Sequence, residues 1–302
     1  MLFSEDDVLV RGLHIRGVWT EGKSRQWAVD EFKSIYGSTP LVLAKMWHDL
    51  VTSNLVRLTE REKKEWGFDF FLRAHCFMFT YPKNVREMAR SFKINQFYVR
   101  GRMMWRWIER IALLAQLKIV WPSRFDDPAS ERFIITVDGT DFKCTEPQHD
   151  TLPIDRQFFS QKFNHGAVKY EVALSIFEPK CVWMNGPHPG GRHDLTILRE
   201  GGLLQQMIPG KLAIADRGYR TSVLAEQEKL SLPNDFDGDE VKDFKGCARS
   251  RHESYNGRLK KFGILDKTFR HRPLMQKHGH AFRAVVVTQQ YQLENGSILF
   301  EV

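Results

Sequence analysis

Three carboxylates lie in segments that can bring them together: Asp138 ends "FIITVD", Asp216 ends "KLAIAD", and Glu253 sits within "SRHESYNGRLKKF". The first two segments are short, β-branched runs bounded by glycine or polar residues, the pattern of strands. The third reads as a basic helix whose Glu253 face repeats at Asn256, Gly257 and Lys260. If the two strands are neighbours, their ends put both aspartates at one sheet edge, and the helix can carry Glu253 over them. Three bare carboxylates there would repel one another. Two divalent cations about 4 Å apart relieve that repulsion and suit displacement at a phosphodiester, one activating the attacking oxygen and one stabilising the leaving oxygen. An all-oxygen donor set selects Mg2+, with Mn2+ as the alternative. Local rules offer a competing account of Asp138, because Asp-Gly after an apolar run is a strong hairpin signal. Asp141, three residues on, points away from the site if the strand continues through "DFKCTE".

Other motifs carry less chemistry. "GVWTEGKS", Gly17 to Ser24, satisfies the phosphate-loop spacing G-x-x-x-x-G-K-S. Trp19 and Glu21 would put bulk and negative charge into a cradle made of backbone N–H groups, and helical rather than alternating segments follow. "DFDGDE" (235–240) lacks the closing glutamate and glycine position of a calcium loop and reads as a solvated acidic loop. His252, His278, His280 and Cys247 lack metal-ligand spacing, so the histidines read as surface residues. Cys76, Cys144, Cys181 and Cys247 stand far apart without a C-x-x-C pair, which argues for reduced, mostly buried thiols. There is no G-x-S-x-G elbow.

The elements that must position the carboxylates follow from periodicity. Residues 26 to about 118 read as helices: "RQWAVDEFKSIYG" stops at a glycine, and "GSTPLVLAKMWHDLV" restarts with Ser38 or Thr39 as cap and Pro40 in the first turn. "PKNVREMARSFKINQFYVRGRMMWRWIERIALLAQL" splits at Lys93–Asn95 into a short and a long helix, the outline of a helix-turn-helix. In the long helix Met104, Trp105, Ile108, Ile111 and Leu114 recur at helical spacing, which suits a core face better than a recognition surface. After a Pro- and Asp-bearing linker (121–132) the pattern turns to strands: 133–138, 168–177, 181–186 and 211–216. "RHDLTILREGGLLQQM", "SRHESYNGRLKKFG" and "GHAFRAVVVTQQYQLE" read as helices. The expected class is α/β: a mixed sheet flanked by helices in residues 126–302, preceded by an all-helical region in residues 1–125 with a helix-turn-helix-like segment.

Composition, with 42% hydrophobic and 27% charged residues, is that of a soluble globular chain. No run approaches the ~20 apolar residues of a membrane span, and the acidic N-terminus is unlike a signal peptide, so an intracellular protein is expected. The net charge of +8 is concentrated: between Lys242 and Arg283 stand twelve Lys/Arg against Asp243, Glu253 and Asp266. That block suits a surface that meets phosphates.

The ordered set "VDGTDF…EP", "FFSQKFNHGAVKYEVAL", "WMNGPHPGGRHDLTILREGGL", "ADRGY", "RHESYNGRLKKF" and "LENGSILFEV" resembles the Harbinger/PIF-like transposases, DDE-superfamily endonucleases with an RNase H-like fold. The resemblance covers residues 30 to 302, and it implies Asp138, Asp216 and Glu253 as the catalytic, metal-binding triad, with Asp194 of "GGRHDL" as a further metal position. Thirty-six residues separate Asp216 from Glu253, close to the interval usual in such enzymes. It further implies cutting and joining of DNA at transposon ends, homo-oligomers on DNA, a separate Myb-like DNA-binding partner, nuclear location and no membrane. Lys162, Arg251, Arg258, Lys260 and Lys261 are the residues expected to hold the DNA backbone. A domesticated, catalytically silent DNA-binding or scaffolding descendant is the alternative.

Overall fold

The structure, a computed structural model, describes residues 2–100, 102–145 and 156–302. Helices come first among the described residues: α1 (Glu5–Ile15), α2 (Arg25–Tyr36), α3 (Pro40–Thr52), α4 (Glu65–Thr80), α5 (Val85–Ser91), α6 (Gln96–Arg100), α7 (Arg102–Leu113) and α8 (Ala115–Lys118). Strands β1 (Phe133–Lys143), β2 (Phe159–Ser160), β3 (His165–Ser175) and β4 (Cys181–Pro189) follow, then α9 (Asp194–Gly201) and α10 (Leu203–Gln206). The chain continues through β5 (Leu212–Ile214), α11 (Leu224–Gln227), β6 (Leu230–Ser231), α12 (Asp239–Leu259), α13 (Gly263–Asp266) and α14 (Leu274–Leu293). No helix among the described residues is long and apolar enough to cross a membrane.

Two compact units result. The first comprises Met1–Lys118, Leu259–Lys267 and His280–Ser297; the second comprises Ile119–Arg258, Thr268–Gly279 and Ile298–Val302. Two stretches from within 126–302 thus pack with the N-terminal helices, because α13 and most of α14 carry apolar faces that this unit covers.

In the first unit the helix ends are where the caps predict. The Thr39 hydroxyl accepts from Val42 N–H at 3.2 Å with Pro40 leading α3, and Gly37 closes α2 in the left-handed region at φ 65°. Met104, Trp105, Ile108, Ile111 and Leu114 are buried, and Trp107 joins them, its ring 5.8 Å from that of Trp47. The segment read as one long helix comprises α6 and α7 on either side of Gly101, which lies outside the described residues. α7 buries Met104, Trp105, Trp107, Ile108 and Ile111 in the core. Residues 17–24 link α1 to α2 and follow no strand. The Ser24 hydroxyl caps α2 at 3.2 Å from Trp27 N, and Trp19 is exposed. That is not a phosphate loop.

The second unit holds a six-stranded mixed sheet in the order β2-β3-β1-β5-β6, with β4 also on β3. β1 runs antiparallel to β3 and parallel to β5, and β5 parallel to β6. Ile135 and Val137 pack with Leu198, Leu203 and Leu204 on one face, while Ile214 packs with Ala248 on the other. Burial on both faces explains why "FIITV" is a continuous apolar run. Asp138 does not end the strand: β1 continues to Lys143 and pairs with β3 throughout, Asp138 opposite Val172 and Gly139 opposite Glu171. Asp-Gly makes no turn here, because the long-range ladder with β3 outweighs the local turn preference. Cys76, Cys144 and Cys181 are buried thiols, and Cys247 is partly exposed.

Candidate active site

Two periodicities meet at the site. Along β1, Thr136 and Asp138 project on one face; along α12, His252 and Asn256 share a face one turn apart. The pairs interlock: Thr136 Oγ1 lies 2.8 Å from His252 Nδ1, and Asn256 Nδ2 donates to Asp138 Oδ2 at 3.0 Å. Asn256 is thereby the residue that orients Asp138.

Asp216 arrives from the next strand. Thr136 pairs with Ile214 in the parallel β1/β5 ladder, so Asp138 and Asp216 each follow a register pair by two residues. Just past β5 the Asp216 carboxylate turns back to accept from Gly218 N–H at 2.8 Å, which fixes it at the strand's end. Asp138, Asp216, Arg249, His252 and Glu253 line one pocket of about 80 Å³. Glu253 is exposed at the mouth, one helical turn beyond Arg249.

Asp194 stands on the other side of β1. It opens α9, and its Oδ1 would lie 2.5 Å from a Cβ at position 139, so any side chain there would displace the Asp194 carboxylate. Lys169 Nζ donates to Asp194 Oδ1 at 3.1 Å and also pairs with Asp141 at 3.8 Å. Asp141 points away from Asp138, is buried, and accepts from Ser160 Oγ at 2.8 Å. The Tyr219 hydroxyl is buried near Asp194 and Asp216 without a hydrogen-bond partner among the described residues, and Glu171 Oε2 likewise has none among them.

The electrostatics reflect crowding. Burial, then the charge of Asp216, then that of Asp194 push the Asp138 carboxyl up to about 7, against the backbone hydrogen bond at Gly139 and the Lys162 charge. A hard cation relieves that repulsion, and the all-oxygen donors suit one. Among the described residues, no three His, Cys, Asp or Glu side chains already converge into an ion-holding group. The donor chemistry fits a divalent cation, and Asp138, Asp216 and Glu253 are the residues that would hold it.

The expected DNA contacts separate. Lys162 is exposed and its charge reaches Asp138. Arg251 is a correction: it is 4% exposed, and its guanidinium donates to the carbonyls of Ser175, Ile176 and Glu178. It faces inward because the end of β3 leaves these acceptors unpaired. Arg258 is half-buried and donates to Ile298 O at 2.9 Å. Lys260 and Lys261 belong to the first unit. The basic block of the sequence is thus divided among different surroundings. His252 and His278 are also corrections, at 2% and 0% exposed: each donates or accepts inside the core, His278 Nδ1 lying 2.8 Å from the Tyr170 hydroxyl. Burial drives both imidazoles down to about 3. Glu146 and Pro147 of the first motif lie outside the described residues. Arg249, His252, Asn256 and Tyr219 were not singled out as site residues, although Asn256 shares the helix face of Glu253.

The sequence model of the family described as DDE superfamily endonuclease matches residues 137–288. No curated protein matches the chain. The chain is similar to the solved structure of a pre-cleavage Mos1 transpososome, at 9% identity over all of both chains with a TM-score of 0.23. It is also similar to that of a Mos1 strand transfer complex, at 10% identity over 100% of this chain and 99% of the other, with a TM-score of 0.25. At those scores neither structure bears on the fold or the site. The family match does: it takes in Asp138, Asp194, Asp216, Glu253 and Asn256 and spans half of the chain, which therefore belongs to the DDE superfamily endonucleases.

Proposed function

We propose that the protein is a metal-dependent DNA endonuclease of the transposase type, its second unit an RNase H-like catalytic domain of the Harbinger/PIF kind. The observation that carries the reading is that Asp138 of β1 and Asp216, just past β5, each lie two residues beyond the Thr136–Ile214 pair of adjacent parallel strands, with Glu253 of α12 on the same pocket. Asp138, Asp216 and Glu253 would hold divalent cations, Mg2+ by donor type, and Asp194 is the further acidic position. Bound there, such cations supply Lewis acidity at a phosphodiester. Asn256 holds Asp138 in one rotamer, and Gly218 N–H does the same for Asp216. Arg249 at the pocket wall and Lys162 nearby would hold the phosphate of the strand being cut. Lys169 neutralises Asp194, which limits the negative charge that an incoming phosphate meets. Water or a 3′-hydroxyl is the nucleophile, giving hydrolysis or strand joining. The same reading has the protein acting as an oligomer on DNA in the nucleus, with a separate Myb-like DNA-binding partner.

The test is Mg2+-dependent nicking of end-containing DNA by wild type and by Asp216→Asn, both shown to be folded. Loss of nicking in the variant is expected. Equal activity in the two overturns the mechanism.

A further inference from the structure

Tyr219 lies three residues after Asp216, in the short turn Arg217–Tyr219 that Asp216 caps, and it is 1% exposed. Its ring belongs to the core with Ile135, Val137 and Leu198, a place that a phenylalanine would fill as well. The hydroxyl adds nothing to that packing. It has no hydrogen-bond partner among the described residues, and a buried O–H left unpaired destabilises a fold. Burial, then the charges of Glu171, Asp194, Asp138 and Asp216, push the phenol well above its ordinary 10. A neutral O–H donor thus stands among four carboxyl groups.

Of the four, Asp194 is the acceptor that the geometry brings to it. A Cβ at position 139 would lie 2.5 Å from Asp194 Oδ1 and 3.8 Å from the Tyr219 hydroxyl, so the two oxygens crowd one point. A Cβ at position 218 would lie 2.9 Å from Asp216 Oδ1 and 3.3 Å from Asp194 Oδ2, which brings those two carboxylates together at Gly218. Lys169 pulls Asp194 the other way: its Nζ donates to Oδ1 at 3.1 Å and also pairs with Asp141 at 3.8 Å. Glu171 does not compete for the phenol proton. Burial pushes its carboxyl up to about 8, so at neutral pH it keeps its own proton, and an ionised carboxylate is the stronger acceptor.

Resting on the cation site of the endonuclease reading, we infer that Tyr219 is a positioning residue: its hydroxyl donates to the Asp194 carboxylate and holds it beside Asp216, against the pull of Lys169, within reach of a divalent cation. Tyr219 itself touches neither DNA nor cation. It acts through Asp194, as the hydrogen-bond partners of metal ligands do.

The test is Mn2+ binding by the full chain, followed by the paramagnetic signal of the ion, with the part that Asp216→Asn removes counted as the site's own. Tyr219→Phe should weaken that binding roughly 10- to 100-fold. Its melting temperature should stay the same or rise, because the ring is kept and only an unpaired hydroxyl is lost. In an Asp194→Asn background the carboxylate to be held is gone, so adding Tyr219→Phe should cost nothing further. If Tyr219→Phe binds Mn2+ as wild type does, or weakens it equally in both backgrounds, the inference fails and the endonuclease reading stands. If wild type shows no binding that Asp216→Asn removes, the cation site fails and the inference falls with it. Nicking by wild type is scored apart: its absence under every divalent metal overturns the endonuclease reading, and the Mn2+ comparison still decides the role of Tyr219.

Discussion

Glu171→Gln is the substitution whose outcome the structure works out most fully. Glu171 lies on β3 opposite Gly139 and is 1% exposed. Trp183 Nε1–H donates to its Oε1 at 3.2 Å, while Oε2 has no hydrogen-bond partner among the described residues. Burial and the charge of Asp194 push the carboxyl from its ordinary 4.5 up to about 8, the Trp183 bond opposing them. The folded protein therefore holds a proton that the unfolded chain releases near 4.5. The stability this contributes is full below that pH and is lost as pH rises through about 8. At ~1.4 kcal/mol per unit, stability should fall by at most about 4 kcal/mol between pH 5 and pH 8.5 from this group alone. A glutamine keeps the Trp183 bond through its carbonyl and replaces the O–H donor with NH2, so it mimics the neutral acid and removes the pH dependence. Asp138 contributes in the same direction, and His252 and His278, driven down to about 3, contribute oppositely. All three remain in the variant, and subtracting the two curves isolates Glu171. Urea unfolding at pH 5 and pH 8.5 should show near-equal stability at the lower pH and a more stable variant at the higher. Parallel curves, or an equal loss at both pH values, would refute the assignment of a buried neutral acid.

Gly139→Ala drives a Cβ to 2.5 Å from Asp194 Oδ1. It should cost about 1–3 kcal/mol in thermal unfolding and reduce nicking, because Asp194 must leave its place beside Asp216. Arg251→Leu strands the acceptors of Ser175, Ile176 and Glu178. A loss of about 2–4 kcal/mol is expected, with no change in the salt dependence of DNA binding measured on folded protein. Lys162→Ala is the counterpart, since it should leave stability alone and lower the slope of log affinity against log salt by about one. Trp107→Ala empties the centre of the first unit, where the ring is wholly buried. About 3–5 kcal/mol should be lost in urea unfolding.

Where Asp216 and Glu253 sit in the fold was legible because their local signals are strong. Asp216 follows an apolar run and precedes Gly218, and the structure has it at the end of β5 with that glycine's N–H on its carboxylate. Glu253 and Asn256 are three residues apart on a helix, so a shared face was readable before any contact was known. The expectation failed where a local signal met a long-range one. Asp138-Gly139 is a turn by its neighbours, but nine residues of β1, Ile135 to Lys143, pair with β3 instead, and the glycine serves Asp194 rather than a bend. Arg251 carries the same charge as the lysines around it, yet the free carbonyls at the end of β3 draw it inward.

Periodicity and residues within a turn of each other were enough to read most element types, the capped helix ends and Asp138, Asp216 and Glu253 as candidates. That β1 and β5 are parallel neighbours, with Asp138 and Asp216 each two residues past the Thr136–Ile214 pair, follows only from long-range packing. It also decided that Asn256 holds Asp138, and which charges of the basic block remain at the surface. These are contacts between residues up to more than a hundred positions apart. Which face a polar side chain takes is set by the unpaired groups it meets there, and no local pattern encodes them.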